Sequence, residues 1–511
     1  MKEKVLSLIL MMCVAVNLVS CSLPISGQIQ GDSEPTTIVY LTVGDKPTNG
    51  QTEKVIEALN KILIDKINVK LDVYYISWTD YLEKYDQVLE YSDEQIDLIG
   101  TSTDWLDAWK NVTEGNFYPL TEDMLKQYCP ETYASVSADE WESCKYEGNI
   151  YLIPENQYTQ WTNHGFIYRG DLATEAGFEE GIHSWEDMTT FFKYVVKAYP
   201  NVIPWDADRS STNSAQGYIV SKTDFVPILE ITDYGLWGAY KDDLDTVVSP
   251  YYEGNELSSF ANLMRKWERM GVFGNPEETS NDYTTGFYLG ESACIEHHTN
   301  MYIEDRKPNM DIAQPGSRAM FFWFGEERGN IVRTSILHGA MAISARSQYP
   351  ELALQTYELL RNDAQCSRLI NYGIEGQQYI LEDGNIFRRP DSYNNDLDSI
   401  TLNFWWGRRD DLALLNSARD NYAYEHLTRQ YEQSAIDYPW EDMHFDMTGY
   451  SKELDKINVV CGKYLPMICY GDYDCTVDEI IKEFRQALKD AGFEEVTEYI
   501  QSQVDAREDK K

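Results

Sequence analysis

Beyond its first twenty residues the chain has no apolar run long enough to cross a bilayer, so no transmembrane helix is expected in its body. Positive charge is scarce: 43 Lys and Arg stand against 85 Asp and Glu, a formal net charge of −42. Such a surface repels nucleic acid and disfavours anionic small ligands, so a neutral guest is the easier one. Also missing are G-x-S-x-G, H-E-x-x-H and a phosphate-cradling glycine loop, and with them the common hydrolase, metalloprotease and nucleotide chemistries. Cys129, Cys144, Cys294, Cys366, Cys461, Cys469 and Cys475 are widely spaced and form no C-x-x-C pair, which argues against a zinc or redox motif. Asp472, Asp474, Thr476, Asp478 and Glu483 approach calcium-loop spacing, but Val477 stands where that loop needs glycine. No cofactor and no metal are expected. There is no internal repeat.

Among what is present, the amino terminus is the most legible part. Met1-Lys2-Glu3-Lys4 is a short basic start, and Val5–Val19 is a mostly apolar core of signal-peptide proportions. It closes on Leu18-Val19-Ser20-Cys21, which resembles the lipobox of bacterial lipoproteins. That resemblance implies a signal peptide over 1–20, cleavage before Cys21 and lipidation of Cys21. It implies an extracytoplasmic chain held on the outer face of the cell membrane. Residues 21–35, polar and punctuated by Gly and Pro, read as a flexible tether.

The body then alternates. Thr37–Val43 reads as a buried strand, and Val55, Ile56, Leu59, Ile62 and Leu63 recur at helical spacing. Val69–Tyr75 alternates as a strand, about Trp78–Tyr91 is helical, and Ile96–Gly100 is a third strand. Strand and helix in turn predict a doubly wound α/β sheet. Ligands of open sheets sit beyond the carboxyl ends of the strands, which points to the loop carrying Asp104 and Trp105. Further helices are predicted at Trp185–Ala198, Leu257–Met270 and from Pro350. A last helix has Thr476 and Glu479 as a capping box, with Ile480, Ile481, Phe484 and Leu488 as its buried face.

Four passages resemble the family 1 extracellular solute-binding proteins, the carbohydrate-type receptors of ABC importers, in their long lipoprotein branch. They are the tethered start through Asp97 and Trp105; Gly148–Pro154 with Tyr168-Arg169-Gly170-Asp171-Leu172; Tyr283–Ala293; and Ala342-Ile343-Ser344 with Tyr349–Leu354 and Tyr372–Tyr379. The resemblance implies a type II periplasmic-binding-protein-like fold of two α/β lobes, each a mixed sheet flanked by helices. Gly148–Pro154 and Tyr283–Ala293 are similar to the two crossovers. By that analogy 36–152 with 296–345 form the first lobe, and 153–295 with 346–511 the second, carrying a C-terminal helical extension. It also implies a monomer that binds an oligosaccharide, delivers it to permease subunits and catalyses nothing.

Sugars stack their C–H faces on aromatic rings and pair their hydroxyls with carboxylates, amides and imidazoles. Aromatics make up 13% of this chain, with 13 Trp and 37 Tyr, so candidates are plentiful. Asp104 and Trp105 lead in the first lobe. Glu155, Asn156, Tyr158 and Trp161 follow the first expected crossover. Trp205, Asp206 and Trp237 are second-lobe candidates. His297 and His298 follow the second expected crossover, and Trp405 and Trp406 lie in the densest aromatic run. A peptide ligand on the same scaffold is the alternative, and a surface glycan-active enzyme a more distant one.

Overall fold

The computed structural model describes residues 34–159, 161–232, 234–274 and 282–508. The signal sequence, Cys21 and most of the tether lie outside that range. Among the described residues no helix is long and apolar enough to cross a membrane, and the seven cysteines are unbridged.

The first core is built on a five-stranded sheet in the order Val69–Ile76, Thr36–Val43, Leu98–Thr101, Ala340–Ile343 and Ile153–Pro154. The first three strands run parallel, and Ala340–Ile343 is antiparallel to its neighbours. Helix Gln51–Ile67 covers this sheet with Val55, Leu59 and Leu63, spaced four apart and buried. It stops at Asn68, which takes the left-handed conformation (φ 53°) and bonds its N–H to the Ile64 carbonyl. Helix Pro350–Asn362 packs on the same core through Ala353, Leu354, Tyr357 and Leu360, and Phe404 and Trp406 close it.

The second lobe centres on His164–Tyr168, paired antiparallel with Cys294–His298 on one side and Met320–Trp323 on the other. Alternation sends Phe166, Tyr168 and Phe322 to one face and Ile167, Phe321 and Trp323 to the other. Helices Trp185–Ala198, Glu256–Arg269, Ser451–Tyr470 and Val477–Asp490 bury their apolar faces with the first of these faces. Helix Asn421–Ser434 closes the second with Leu427 and Tyr431. Thr476 and Glu479 form the expected capping box, and Ile480, Ile481, Phe484 and Leu488 are buried as the periodicity predicts.

The two cores divide the chain differently from the expected boundaries. Residues 296–331 stay with the second lobe, because Cys294–His298 and Met320–Trp323 flank the same central strand. Residues 350–406 pack on the first sheet. Tyr283–Ala293 is therefore no crossover; it forms helix Tyr283–Leu289 and feeds a strand of the same lobe. The chain changes lobes between Pro154 and His164, between Ile331 and Leu337, and again between Trp406 and Leu427.

Candidate functional site

The loops after strands Val69–Ile76 and Leu98–Thr101 carry Trp78 and Trp105, and a turn at Trp405–Gly407 brings two more tryptophans to the same place. The four rings form one stack. Trp78 lies 5.7 Å from Trp405 and 6.1 Å from Trp105, and Trp105 lies 5.6 Å from Trp406, each pair within 30° of parallel. Trp406 is buried, Trp105 and Trp405 are half-buried, and Trp78 is 42% exposed. Trp406 can sit so deep because Gly100 has no side chain: a Cβ there would lie 2.1 Å from the indole nitrogen.

Polar groups border this stack. Trp105 donates its indole N–H to the His338 carbonyl at 3.3 Å, and His338 Nδ1 lies 2.7 Å from the Asp104 carboxylate. Burial pulls the His338 pKa down, but the charge and hydrogen bond of Asp104 and the charge of Glu155 together outweigh it and leave the imidazole above its ordinary value. Asp104 also lines a cavity of about 160 Å³ whose other walls come from the second lobe, among them Asn163, His164, Glu230, Arg333 and Tyr438. Glu230 is bonded by the Tyr438 hydroxyl, and burial pushes its pKa up to about 8. Glu441 accepts from the Ser335 hydroxyl at 3.0 Å, and burial raises it to about 7. Glu230 thus lines the seam cavity together with Asp104, which is joined through His338 to the aromatic stack.

The structure separates the sequence candidates into three groups. Asp104, Trp105, Trp405 and Trp406 come together as described. His297 and His298 stand beside His164, which reaches the cavity; the ring centroids of His297 and His298 lie 6.0 and 5.7 Å from that of His164. Burial drives the His297 pKa down to about 3 and His298 well below its usual value, so both are neutral. Glu155 and Asn156 hold the lobe crossing. Glu155 is buried against Arg408 at 2.8 Å, and Asn156 joins Ser135 to Arg361. Tyr158 lies under the same Arg408, 4.1 Å from the guanidinium to the ring centre.

The third group corrects the sequence reading. Trp205 and Trp237 are wholly buried second-lobe core: Trp205 meets Phe166 edge-on, and Trp237 stacks on Phe493 and donates to Thr497 at 2.7 Å. Asp206 sits beside Trp205, nearly buried, and burial followed by Glu291 raises it to about 6. Trp161 is also buried, packed on Tyr431 beneath the central strand's other face. Trp78 and His338 are site residues that the sequence reading passed over. Trp78 was findable, because it follows a strand's carboxyl end as Trp105 does. His338 had no local signal.

Comparison with known proteins fixes the architecture. A family model for a domain of unknown function (DUF3502) matches residues 441–507. A carbohydrate ABC transporter substrate-binding protein of Streptococcus pneumoniae serotype 4 is 26% identical over 200 residues, 38% of this chain and 38% of that protein. That alignment therefore spans well under half of the relative. The N-glycan transport solute binding protein (NgtS) of Streptococcus pneumoniae, solved in complex with Man5GlcNAc, superposes with a TM-score of 0.67 at 19% identity. The match covers 93% of this chain and 99% of that one. An HMO-binding, ABC-transporter-associated solute binding protein of Bifidobacterium longum infantis superposes at 0.66 and 14% identity, over 93% and 99% of the two chains.

Proposed function

Because the chain has the two-lobed fold of the extracellular solute-binding proteins, we propose that it is the substrate-binding component of a carbohydrate ABC importer. The resemblance to family 1 of those proteins is borne out by its relatives. On this reading the chain is a monomer, lipid-anchored at Cys21 on the outer face of the membrane, that binds a neutral di- or oligosaccharide reversibly. It hands the sugar to permease subunits and does no chemistry on it.

One observation carries the reading: Trp405, Trp78, Trp105 and Trp406 stack in that order, Trp78 the most exposed of them, and Trp105 is joined through His338 to Asp104 at the lobe seam. An indole face takes the C–H side of a pyranose, while carboxyl and imidazole groups at its edge pair with hydroxyls. Contacts from both lobes let a sugar favour the closed arrangement by its differential affinity. The structural relatives, an N-glycan transport protein in complex with Man5GlcNAc and an HMO-binding protein, take ligands of the same carbohydrate class.

Calorimetric titration with a panel of neutral oligosaccharides tests the proposal, with acidic sugars and short peptides as the contrast. Saturable binding of a neutral oligosaccharide is expected. Binding of peptides alone, or turnover of the sugar, would overturn it.

A further inference from the structure

The second lobe carries a second recess with the opposite charge character. A concavity of about 860 Å³ is bordered by helices Trp185–Ala198 and Glu256–Arg269 and by the start of Val477–Asp490. Its charged residues are Lys193, Arg265, Lys266, Arg269 and Asp478. A second concavity of about 480 Å³ shares Asp478 and adds Lys482, Arg485 and Lys489. Seven cations and one carboxylate thus line this trough of two concavities sharing Asp478, in a chain that has about two acids for every base.

Part of this charge is already committed. Lys489 pairs with Glu494 at 2.9 Å, Arg485 binds three backbone carbonyls, and Arg265 binds the Gly471 carbonyl and lies over the Tyr473 ring. Lys193, Lys266, Arg269 and Lys482 make no ion pair among the described residues. Glu186, which feels Lys266, is held instead by Lys222 at 2.8 Å. With carboxylates so abundant, four cations in this trough with no ion pair among the described residues call for an anion from outside.

The shape selects the kind of anion. The walls are helices, whose backbone groups are internally bonded, so no strand edge is offered to a peptide. The cations line a concavity, whereas a bilayer is flat. Tyr252 is the one aromatic in the lining, and it is occupied by Phe493 and Glu494, so nucleobases have no stacking platform. What remains is a flexible chain with repeated charge and no bases. We propose that this trough seats a linear polyol-phosphate polymer of the cell envelope, gripped by side-chain cations along its phosphodiesters. The envelope origin of the polymer rests on the extracytoplasmic placement proposed above; the charge argument does not.

The test uses the mature chain with poly(glycerol phosphate) as probe, in calorimetry at several salt concentrations. Salt-sensitive binding is expected, as counterions are released from the polymer. The triple variant K193Q/R269Q/K482Q, altered at exposed positions, should bind about tenfold or more weakly while keeping its melting temperature and its oligosaccharide affinity. No binding by the parent chain, or equal binding by the variant, overturns the proposal. So does binding only to anionic vesicles, poly-glutamate or single-stranded DNA. Failure of every oligosaccharide with polymer binding intact would strike the cleft reading alone.

Discussion

Both lobes gather tryptophans, and they use them in opposite ways. In the second lobe Trp185, Trp205 and Trp267 meet Phe166 and one another edge-on or stacked, all wholly buried under the helices that cross the sheet. In the first lobe the stack ranges from buried at Trp406 to exposed at Trp78, because Trp78 and Trp105 stand on loops after two strands, with Tyr81 at the head of helix Tyr81–Tyr91 edge-on to both. An aromatic-rich composition therefore says little by itself. What decides the role of a tryptophan is whether its element ends at the seam or packs inside a layer.

Truncating a ring in each cluster separates the two roles, and the largest effect belongs to the core. Trp205→Ala should cost about 3–5 kcal/mol of stability, since it empties a site bordered by Phe166, Trp267, Phe273 and Tyr470. Sugar affinity per folded molecule should be unchanged in denaturant and calorimetric measurements. If Trp205→Ala loses affinity and keeps its stability, the division between the clusters fails.

Trp105→Ala is the mirror experiment. Its ring is half-buried between Trp78 and Trp406, so the expected loss is about 1–3 kcal/mol of sugar affinity. Unchanged titration curves for this variant would remove the stack from the site.

Gly100→Ala sharpens the comparison at the buried end of the same stack. The added methyl meets the Trp406 indole at 2.1–2.7 Å, so the ring must slide outward and carry Trp105 with it. Overpacking of this kind costs about 1–3 kcal/mol. A small drop in melting temperature is expected together with a few-fold loss of sugar affinity. Loss of stability with affinity intact would show that Trp406 is core alone.

How far the sequence carried this division follows from the range of its signals. Local ones held: the 3.6-residue period placed Trp185–Ala198, and the Thr476–Glu479 box placed the start of the last capped helix. The Asp104–Trp105 loop was legible because a strand's carboxyl end is a topological address. Trp205 and Trp237 were not, since a lone tryptophan in a short irregular stretch, Pro204-Trp205-Asp206 or Leu236-Trp237-Gly238, reads the same over a core and in a cleft. The lobe boundaries failed for a related reason. Which core receives residues 296–331 is decided by pairing to a strand more than a hundred residues earlier, and no window of sequence contains both partners.

The acids of the two lobes differ as their tryptophans do, and pH probes that difference. In the first lobe Asp104 and Glu155 face His338 and Arg408. In the second, Glu230 and Glu441 face the hydroxyls of Tyr438 and Ser335, and burial lifts them to about 8 and about 7 from an unfolded value near 4.5. Between those values the folded chain holds protons that the unfolded chain has released. Stability should therefore decline as pH rises from about 4.5, flattening for Glu441 beyond about 7 and for Glu230 beyond about 8. Asp104 is a nearby charge that acts on both groups, so their deprotonation also sets like charges against each other across the seam. Urea titrations at pH 5, 6, 7 and 8 should show the decline, and Glu230→Gln should reduce its slope throughout and leave little of it above pH 7. A variant with the parent slope would mean that Glu230 is already ionised in the fold, and the contrast between the lobes would then rest on their tryptophans alone.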